Sequence, residues 1–421
     1  IYCTMKKILQ NSSLLMTLFA AINTQAQGLR YLDEIFNNVT VDTSIAYGAN
    51  KSFLTGFTTV DSLRMDVYMP AGDTATNRPV IIFLHAGSYL PGALTGFTFA
   101  DRKENCLVEL CNRYAKRGWV AVSMDYRLGW NPSSTDANVR AGTIINAVYR
   151  SMQDTKNCIR YFRNDEANGS NQWGIDPTKF VVGGTNSGAY TALALGNLNK
   201  PSELVNPKFL DTLGNSYIDT TLTGNFDGFG GSQNVDNFPG ISSDANAILS
   251  LGGSVGDTSW IEPGEPPVIA FSGVADPLTP YNTAVVITAS GTSIIEVSGT
   301  GDFMPYVSAL GDNNCFAGNN FAAGPPNFQG GVTTTSIDGL YPFYGEGFEP
   351  WNWYVGTNPI FNSGASQPKA MLYIDTIVNY ATPRLYRCMF DNSYLQPTGI
   401  REVNGDIEMS VFPNPTATQL N

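Results

Sequence analysis

An α/β architecture is what this sequence predicts: a mostly parallel central sheet with helices on both faces and two long loop insertions. Three observations predict it. Uninterrupted apolar runs, the mark of strands covered on both faces, alternate with helical periodicity through the middle of the chain. At Phe180 a short strand runs at once into glycines and then a helix. Hydrophobic residues make up 43% and charged residues 14% of the 421, enough core for one large domain with appendages.

The elements follow in order. Leu63–Met69 alternates as a half-buried strand does, and Pro79–Leu84 and Trp119–Met124 are continuous apolar runs. Between those runs Cys106–Lys116 reads as a helix ending near Gly118. A long helix is expected over Ala141–Phe162, because Ile144, Val148, Met152, Ile159 and Phe162 fall along one face. Phe180–Val182 is a short strand with a helix from about Ala189, Ala247–Leu251 and Pro267–Phe271 are further strands, and Lys369–Tyr380 is a last helix. Pro201–Gly240, rich in Asn, Asp and Gly, and Gly311–Trp353, rich in Gly, Asn and aromatics, are insertions. Both are expected to follow strands, on the edge where such sheets place their ligand-binding loops.

The two ends differ from the middle. With Met5 taken as the start, Lys6 and Lys7 precede a short apolar stretch from Leu14 to Ile22 and a small-residue segment at Thr24–Gln27. Residues 5–27 therefore read as a secretory signal peptide, too short and wrongly flanked for a transmembrane helix. No other stretch is long and apolar enough to span a bilayer. Residues 28–398 form the main domain, and 399–421 change character: Ile407-Glu408-Met409-Ser410-Val411-Phe412 leads into Pro413-Asn414-Pro415. That pattern resembles the opening of the C-terminal sorting domain of the bacterial type IX secretion pathway, most of which is missing here. An ordinary Pro-rich linker is the plainer reading. The resemblance implies contact with secretion machinery through the tail and a secreted or cell-surface location.

The formal charge of −12 disfavours nucleic acid or an anionic membrane as partner, since both call for basic patches. Export permits disulfides. Past the signal the five cysteines are an odd number, so at least one thiol is left over or pairs between chains. Five residues of helical rise put Cys106 and Cys111 about 7.5 Å apart along the axis, too far for a relaxed bridge. Cys315–Cys388 is a possible pair. With no CxxC and a single His, neither a metal nor another cofactor is expected.

Four of the five chemistry-bearing motifs come directly after strands. His85-Ala86-Gly87-Ser88 is a turn of small residues whose amides can face a developing negative charge; a tight turn with a satisfied His would look the same. Asp125-Tyr126-Arg127-Leu128-Gly129 reads as structural, with Arg127 paired to a carboxylate. Gly183-Gly184-Thr185-Asn186-Ser187-Gly188-Ala189 links strand to helix, and upstream of it stand Gln153-Asp154 and Gly174-Ile175-Asp176-Pro177, which resemble the lead-in to such a turn in the family named below. Asp276, in Phe271-Ser272-Gly273-Val274-Ala275-Asp276-Pro277, is a candidate acid or simply a turn-capping Asp. Gly345-Glu346-Gly347-Phe348-Glu349-Pro350-Trp351 precedes the last helix.

Taken together, and in this order, the motifs from Arg78 to Asp276 resemble those of the α/β-hydrolases, specifically the carboxylesterase-like and lipase-like members. The resemblance implies that His85 orients the oxyanion loop without acting as base, and that Ala86, Gly87 and Ser187 supply oxyanion-hole amides. It implies Gly184 and Gly188 as the elbow glycines of Gly-x-Ser-x-Gly, with Asn186 at the nucleophile position. Asp276 falls at the acid position and Phe348 at the His position; a second register would put Asp302 there instead. Nucleophile and base are both replaced, and no other His remains. In a serine protease such losses cost on the order of 10⁶ in turnover.

The first expectation is therefore a catalytically inactive, esterase-like homologue that retains a pocket for a small-molecule ester, glycan or lipid-like ligand. The second is an active carboxylic-ester hydrolase with an unusual set, such as Ser187 with Asp302 or Glu349. The third is a structural or adhesive surface protein. The aromatic group Phe348, Trp351, Trp353 and Tyr354 fits a cleft lining and, more commonly, packed core.

Overall fold

The computed structural model describes residues 29–96, 100–288, 291–316, 335–355 and 360–390. The segments read as signal peptide (5–27) and sorting-domain opening (399–421) lie outside the described residues.

Strand β1 (Val39–Lys51) pairs antiparallel with β2 (Val60–Pro70), and β2 pairs antiparallel with β4 (Val120–Met124). From there the sheet is parallel. Strand β3 (Arg78–Leu84) lies between β4 and β5 (Ile175–Thr185), followed by β6 (Ala247–Leu251), β8 (Val268–Gly273) and β11 (Leu340–Phe343). The order is β1-β2-β4-β3-β5-β6-β8-β11. Parallel neighbours need long crossovers, and helices supply them. These are α2 (Asn105–Lys116), α3 (Ala137–Asn168), α4 (Ser187–Asn197) and α6 (Thr300–Leu310); α7 (Gln367–Met389) follows the last strand. Two helices of a single turn, α1 (Gly92–Thr95) and α5 (Thr220–Thr223), sit in loops.

Side-chain alternation along the strands separates two cores. Ile82, Val122 and Val182 face α3 and α4 and meet Met152, Ile159 and Leu193. Ile81, Ala121 and Val181 face the other way and meet Leu110, Tyr114 and Ile377 from α2 and α7. Both faces of the central strands are buried, which is why their sequences are mostly apolar; the exception in β4, Ser123, is buried and donates to Arg102 O at 2.7 Å. Each such side chain contributes about 1.5–3 kcal/mol by leaving water.

The expected strands and helices are present, with longer helices than the periodicity showed: α3 reaches Asn168, and α7 continues through Pro383 to Met389. Leu385 and Tyr386 are buried there and hold the added turns. Neither insertion follows a strand, contrary to expectation. Pro201–Gly240 follows α4 and Gly311–Trp353 follows α6. The first packs along α3, where Gln153 Nε2 donates to the carbonyls of Thr223 and Asn225 (both 2.8 Å) and Arg160 donates to Asp227 O (2.9 Å). The second carries β11 itself.

A separate three-stranded antiparallel sheet, in the order β7-β10-β9, comes from β7 (Ser254–Val255), β9 (Ala284–Ile287) and β10 (Ser293–Gly299). Arg127 pairs with Asp154 at 2.9 Å, both buried, as the sequence implied. Cys315 and Cys388 form a disulfide with Cα atoms 5.2 Å apart, while Cys106, Cys111 and Cys158 are free and buried.

Candidate active site at the turn after strand β5

The turn from β5 into α4 is sharp. Asn186 sits at φ 49°, ψ −115°, outside the left-handed helical well and sparsely populated by residues other than glycine. The flanking glycines are required sterically. A Cβ on Gly184 would lie 2.4 Å from the Gly188 carbonyl carbon, and one on Gly188 would lie 2.2 Å from Leu84 O. Strand β5, helix α4 and the end of β3 are in backbone contact here, so the sharp turn is set by the glycines whatever side chain stands at 186.

The Asn186 side chain turns back on its own helix. Its Oδ1 accepts the Ser187 N–H at 2.8 Å. Since an N–H cannot accept, this bond fixes which amide atom is the oxygen. Nδ2 is then left buried, with no hydrogen-bond partner among the described residues. The Ser187 amide, expected as an oxyanion donor, is thus already occupied. Ser187 Oγ accepts from Ser88 N (3.1 Å) and lies 3.3 Å from the Tyr126 hydroxyl. No carboxylate or imidazole bonds to it among the described residues, which leaves the Ser187-based catalytic set unassembled.

The oxyanion loop departs from expectation at Ala86. Its N–H donates to Glu104 Oε2 at 2.7 Å, so Ala86 is not an oxyanion donor: a carboxylate 18 residues away has taken that amide. Gly87 stands at φ 111°, and a Cβ there would be 2.6 Å from Ala100 Cβ. His85 orients the loop. Its ring stacks on Tyr126 with centroids 4.3 Å apart, and Nδ1 faces Ala86 O at 2.6 Å, so the proton is on Nδ1. Burial lowers its pKa and keeps it neutral.

Asp276 performs the turn-capping role that was its alternative. Oδ1 accepts from Leu278 N (2.8 Å) and Thr279 N (3.0 Å), and Oδ2 from the Thr279 hydroxyl (2.7 Å). Burial pushes its pKa up against these bonds. Phe348 is buried against Ala86 and packs with Leu278 and Phe361. Its loop is drawn onto the end of β8, where Ala275 N donates to Glu346 O (2.9 Å) and a Cβ on Gly273 would be 2.2 Å from Gly347 O. Glu349, next to Phe348, reaches Thr185, next to Asn186, at 3.3 Å. The segments bearing Asn186, Asp276 and Phe348 therefore meet at one sheet edge. Asp302, the other candidate for the His position, instead sits in the first turn of α6 and accepts Thr283 N at 2.5 Å.

One feature escaped the sequence reading: a buried carboxyl pair beneath the elbow. Asn352 Nδ2 donates to Glu104 Oε1 (2.8 Å) and to Glu349 Oε2 (3.3 Å), and Tyr354 donates to Glu349 Oε2 (2.8 Å). Both carboxyls are 1% exposed. Burial, and then the charge of Glu349, raises Glu104 well above the carboxylate range; burial raises Glu349 to about 7. Glu349 also has φ 43°, rare for a residue other than glycine. The only signal available in sequence was an acidic residue set among aromatics in Phe348-Glu349-Pro350-Trp351.

Beside the elbow opens a cavity of about 640 Å³. Asn186, Ser187 and Tyr190 line it from the elbow side, Ile144, Ile145 and Val148 from α3, and β9 and β10 close another wall. The hairpin of β9 and β10 was not anticipated.

A family model, BD-FAE, matches residues 65–290, more than half of the chain. No curated protein matches. Solved structures with similar folds include esterase 2 of Thermogutta terrifontis phosphorylated by paraoxon, at 19% identity, covering 81% of this chain and 91% of that one with a TM-score of 0.41. The propionate-bound form of the thermophilic esterase from the same organism matches at 19% identity, 84% and 98% coverage and a TM-score of 0.40. At these values the structural likeness adds nothing to the family match. With an esterase-type sheet, elbow and loop order already in place, the match across β2 to β9 means that this chain belongs to the BD-FAE family, an α/β-hydrolase-type esterase family.

Proposed function

We propose that this chain is an exported or surface-held member of its family that binds a small molecule at the esterase site without hydrolysing it. One observation carries the reading: the elbow presents an amide, Asn186, whose oxygen caps the adjacent Ser187 N–H, while the single His is locked into the oxyanion loop. Acyl transfer needs a nucleophile and a base to take its proton. Ester hydrolysis by Ser187 would need a base at its Oγ, and the described partners of that oxygen are Ser88 N and the Tyr126 hydroxyl. The open cavity at Asn186 supports ligand binding over a purely adhesive role. The Cys315–Cys388 disulfide supports export, since such bonds persist in oxidising compartments. So does the signal-like N-terminus, and the tail supports handling by secretion machinery.

Hydrolysis of p-nitrophenyl esters and labelling by a fluorophosphonate test this on the purified protein. Neither is expected, and labelling at Ser187 overturns the reading. The double substitution Asn186→Ser with Phe348→His is expected to produce both signals, with turnover raised at least about 100-fold over either single variant. Its second effect is to release the Ser187 N–H for an oxyanion, because the Oδ1 that occupies it is removed.

A further inference from the structure

We propose that the cavity beside the elbow takes an aliphatic chain with one anionic head, a carboxylate, the chain lying between α3 and the β9–β10 hairpin and the head at Arg140. This deepens the ligand-binding reading of the same cavity and rests on it.

The cavity has an open end and a closed end. Among its lining residues Ser133 and Thr135 are exposed and Arg140 is part-exposed, whereas Leu198, Leu204, Phe209 and Trp260 are buried. Both long walls run in that sense. On α3, residues four apart share a face, so Arg140, Ile144 and Val148 form one row about 12 Å long, and Tyr149 beyond it is buried. On β10, the exposed Ser293 leads to the part-exposed Ile294 and Ile295 and then to the buried Val297. Arg140 Nε donates to Ser293 O at 3.2 Å, which joins the two walls at their open ends. Aliphatic side chains therefore lead inward from Arg140 on both sides.

Arg140 calls for an anion. Among the described residues that line the cavity it alone carries a charge. Its hydrogen bonds go to carbonyls, from Nε to Ser293 O and from Nη1 to Ser134 O (2.7 Å), so the described partners leave both N–H groups of Nη2 unused. Unlike the Nε of the wholly buried Arg150, this Nη2 is open to solvent. The carboxylate one helical turn before it, Asp136, accepts Asn138 N (2.8 Å) and caps the helix instead of pairing with Arg140. A cation in the first turn of α3 opposes the helix dipole, and here no carboxylate of the described residues offsets it. A ligand carboxylate would pair with the guanidinium and face the favourable end of that dipole. One cation matches one negative charge, whereas a phosphate dianion would bring a second without a partner.

The body of the ligand is aliphatic. Ile144, Ile145 and Val148 form one wall, and Val286, Ile287 and Ile294 the facing one. A sugar would leave its hydroxyls unpaired between such walls. The row of about 12 Å from Arg140 to Val148 is too long for a short acid such as acetate to fill, and a medium-length chain anchored at Arg140 stays in contact with both walls along it.

The test uses the purified full chain and the neutral fluorescent probe N-phenylnaphthylamine, displaced in turn by decanoate, decanol and decylamine, which share a chain and cannot be hydrolysed. Decanoate is expected to bind about tenfold more tightly than either of the others at pH 8. Affinity across hexanoate, octanoate and decanoate is expected to rise about fourfold per added methylene. Arg140→Gln keeps N–H groups for the two carbonyls and removes the charge. It is expected to abolish the preference for decanoate over decanol, and Arg140→Lys to retain it in part. If Arg140 only ties the hairpin to α3, both ligands weaken together in Arg140→Gln and the preference stands, which overturns the inference. Equal binding of decanoate and decanol by the parent protein, or affinity independent of chain length, overturns it too. Ile145→Trp, checked for native circular dichroism, is expected to lose the probe, and a variant that keeps it refutes the placing in this cavity. Probe binding with no displacement by decanoate overturns the inference alone. A parent protein that binds neither the probe nor any of the three amphiphiles overturns the ligand-binding reading itself.

Discussion

Replacing Glu349 by Gln should make the protein more stable at pH 8 and less stable at pH 5. The Glu349 carboxyl is 1% exposed and its pKa stands at about 7 against an ordinary 4.5, with burial as the leading cause. A carboxyl raised in the folded state holds its proton there more tightly than in the unfolded chain. Its contribution is therefore fully present below about 4.5 and is lost as pH rises through about 7. The gap corresponds to roughly 3 kcal/mol. Gln cannot ionise, so at pH 8 it avoids this loss. It also presents an N–H₂ where the carboxylate accepted from Thr185 on one oxygen or from Tyr354 and Asn352 on the other, at about 1 kcal/mol. The net expectation is about 2 kcal/mol of added stability at pH 8 and about 1 kcal/mol of loss at pH 5. Urea unfolding of both proteins at half-unit steps from pH 5 to 8 measures this. Glu104 titrates with Glu349, so the difference between the two curves reports the protons of the pair. A difference that stays constant across that range refutes the reasoning, because it would mean that Glu349 has the same pKa folded and unfolded.

Two further outcomes follow from backbone contacts. Gly188→Ala should abolish folding or lower stability by about 3 kcal/mol or more, seen as loss of the cooperative thermal transition, because its Cβ would lie 2.2 Å from Leu84 O with only backbone to displace. Replacing Cys315 and Cys388 together by Ser should remove about 2–5 kcal/mol, since the bridge closes a 73-residue separation, and dithiothreitol should lower the melting temperature of the parent protein but not of that variant.

What the sequence disclosed and what it hid have physical reasons. Strands β3, β4, β6 and β8 were legible because both their faces are covered, so their runs are mostly apolar, with a single buried serine in each of β4, β6 and β8. The elbow was legible because Gly184 and Gly188 answer to a steric rule that operates within a few residues. Strand β1 was hidden because it is an edge strand with register shifts between Asp42 and Ile45 and between Ala46 and Gly48, so its alternation is broken. The β9–β10 hairpin was hidden because Ala284–Ile287 is only four residues, half-exposed, and turned toward a cavity. Nor could local pattern show that Glu104 would capture the Ala86 amide. That contact joins the loop after β3 to the start of α2 and exists only once the sheet has formed. The face of α3 read from its periodicity packs on the sheet; what pattern could not show is that Gln153 and Arg160 are buried as well, satisfied by carbonyls of the 201–240 insertion.

At the elbow, fold and chemistry place different demands on neighbouring atoms, and Asn186 separates them. The backbone demand is met by the glycines alone. The side chain at 186 is outside that contact, so a change there is tolerated by the fold. Ser187 N–H is one of the amides left unsatisfied at the start of α4, and in an esterase it would wait for an oxyanion. Here Asn186 Oδ1 satisfies it at 2.8 Å. On the non-hydrolytic reading proposed above, that N–H serves as a capped helix amide instead. Asn186→Ser should then lower stability by about 1 kcal/mol, because the shorter side chain gives up that amide. Urea unfolding at pH 7 measures it. A variant as stable as the parent would show that the Asn186 bond to Ser187 contributes nothing, and with it would go the argument that stability and catalysis compete for this one N–H.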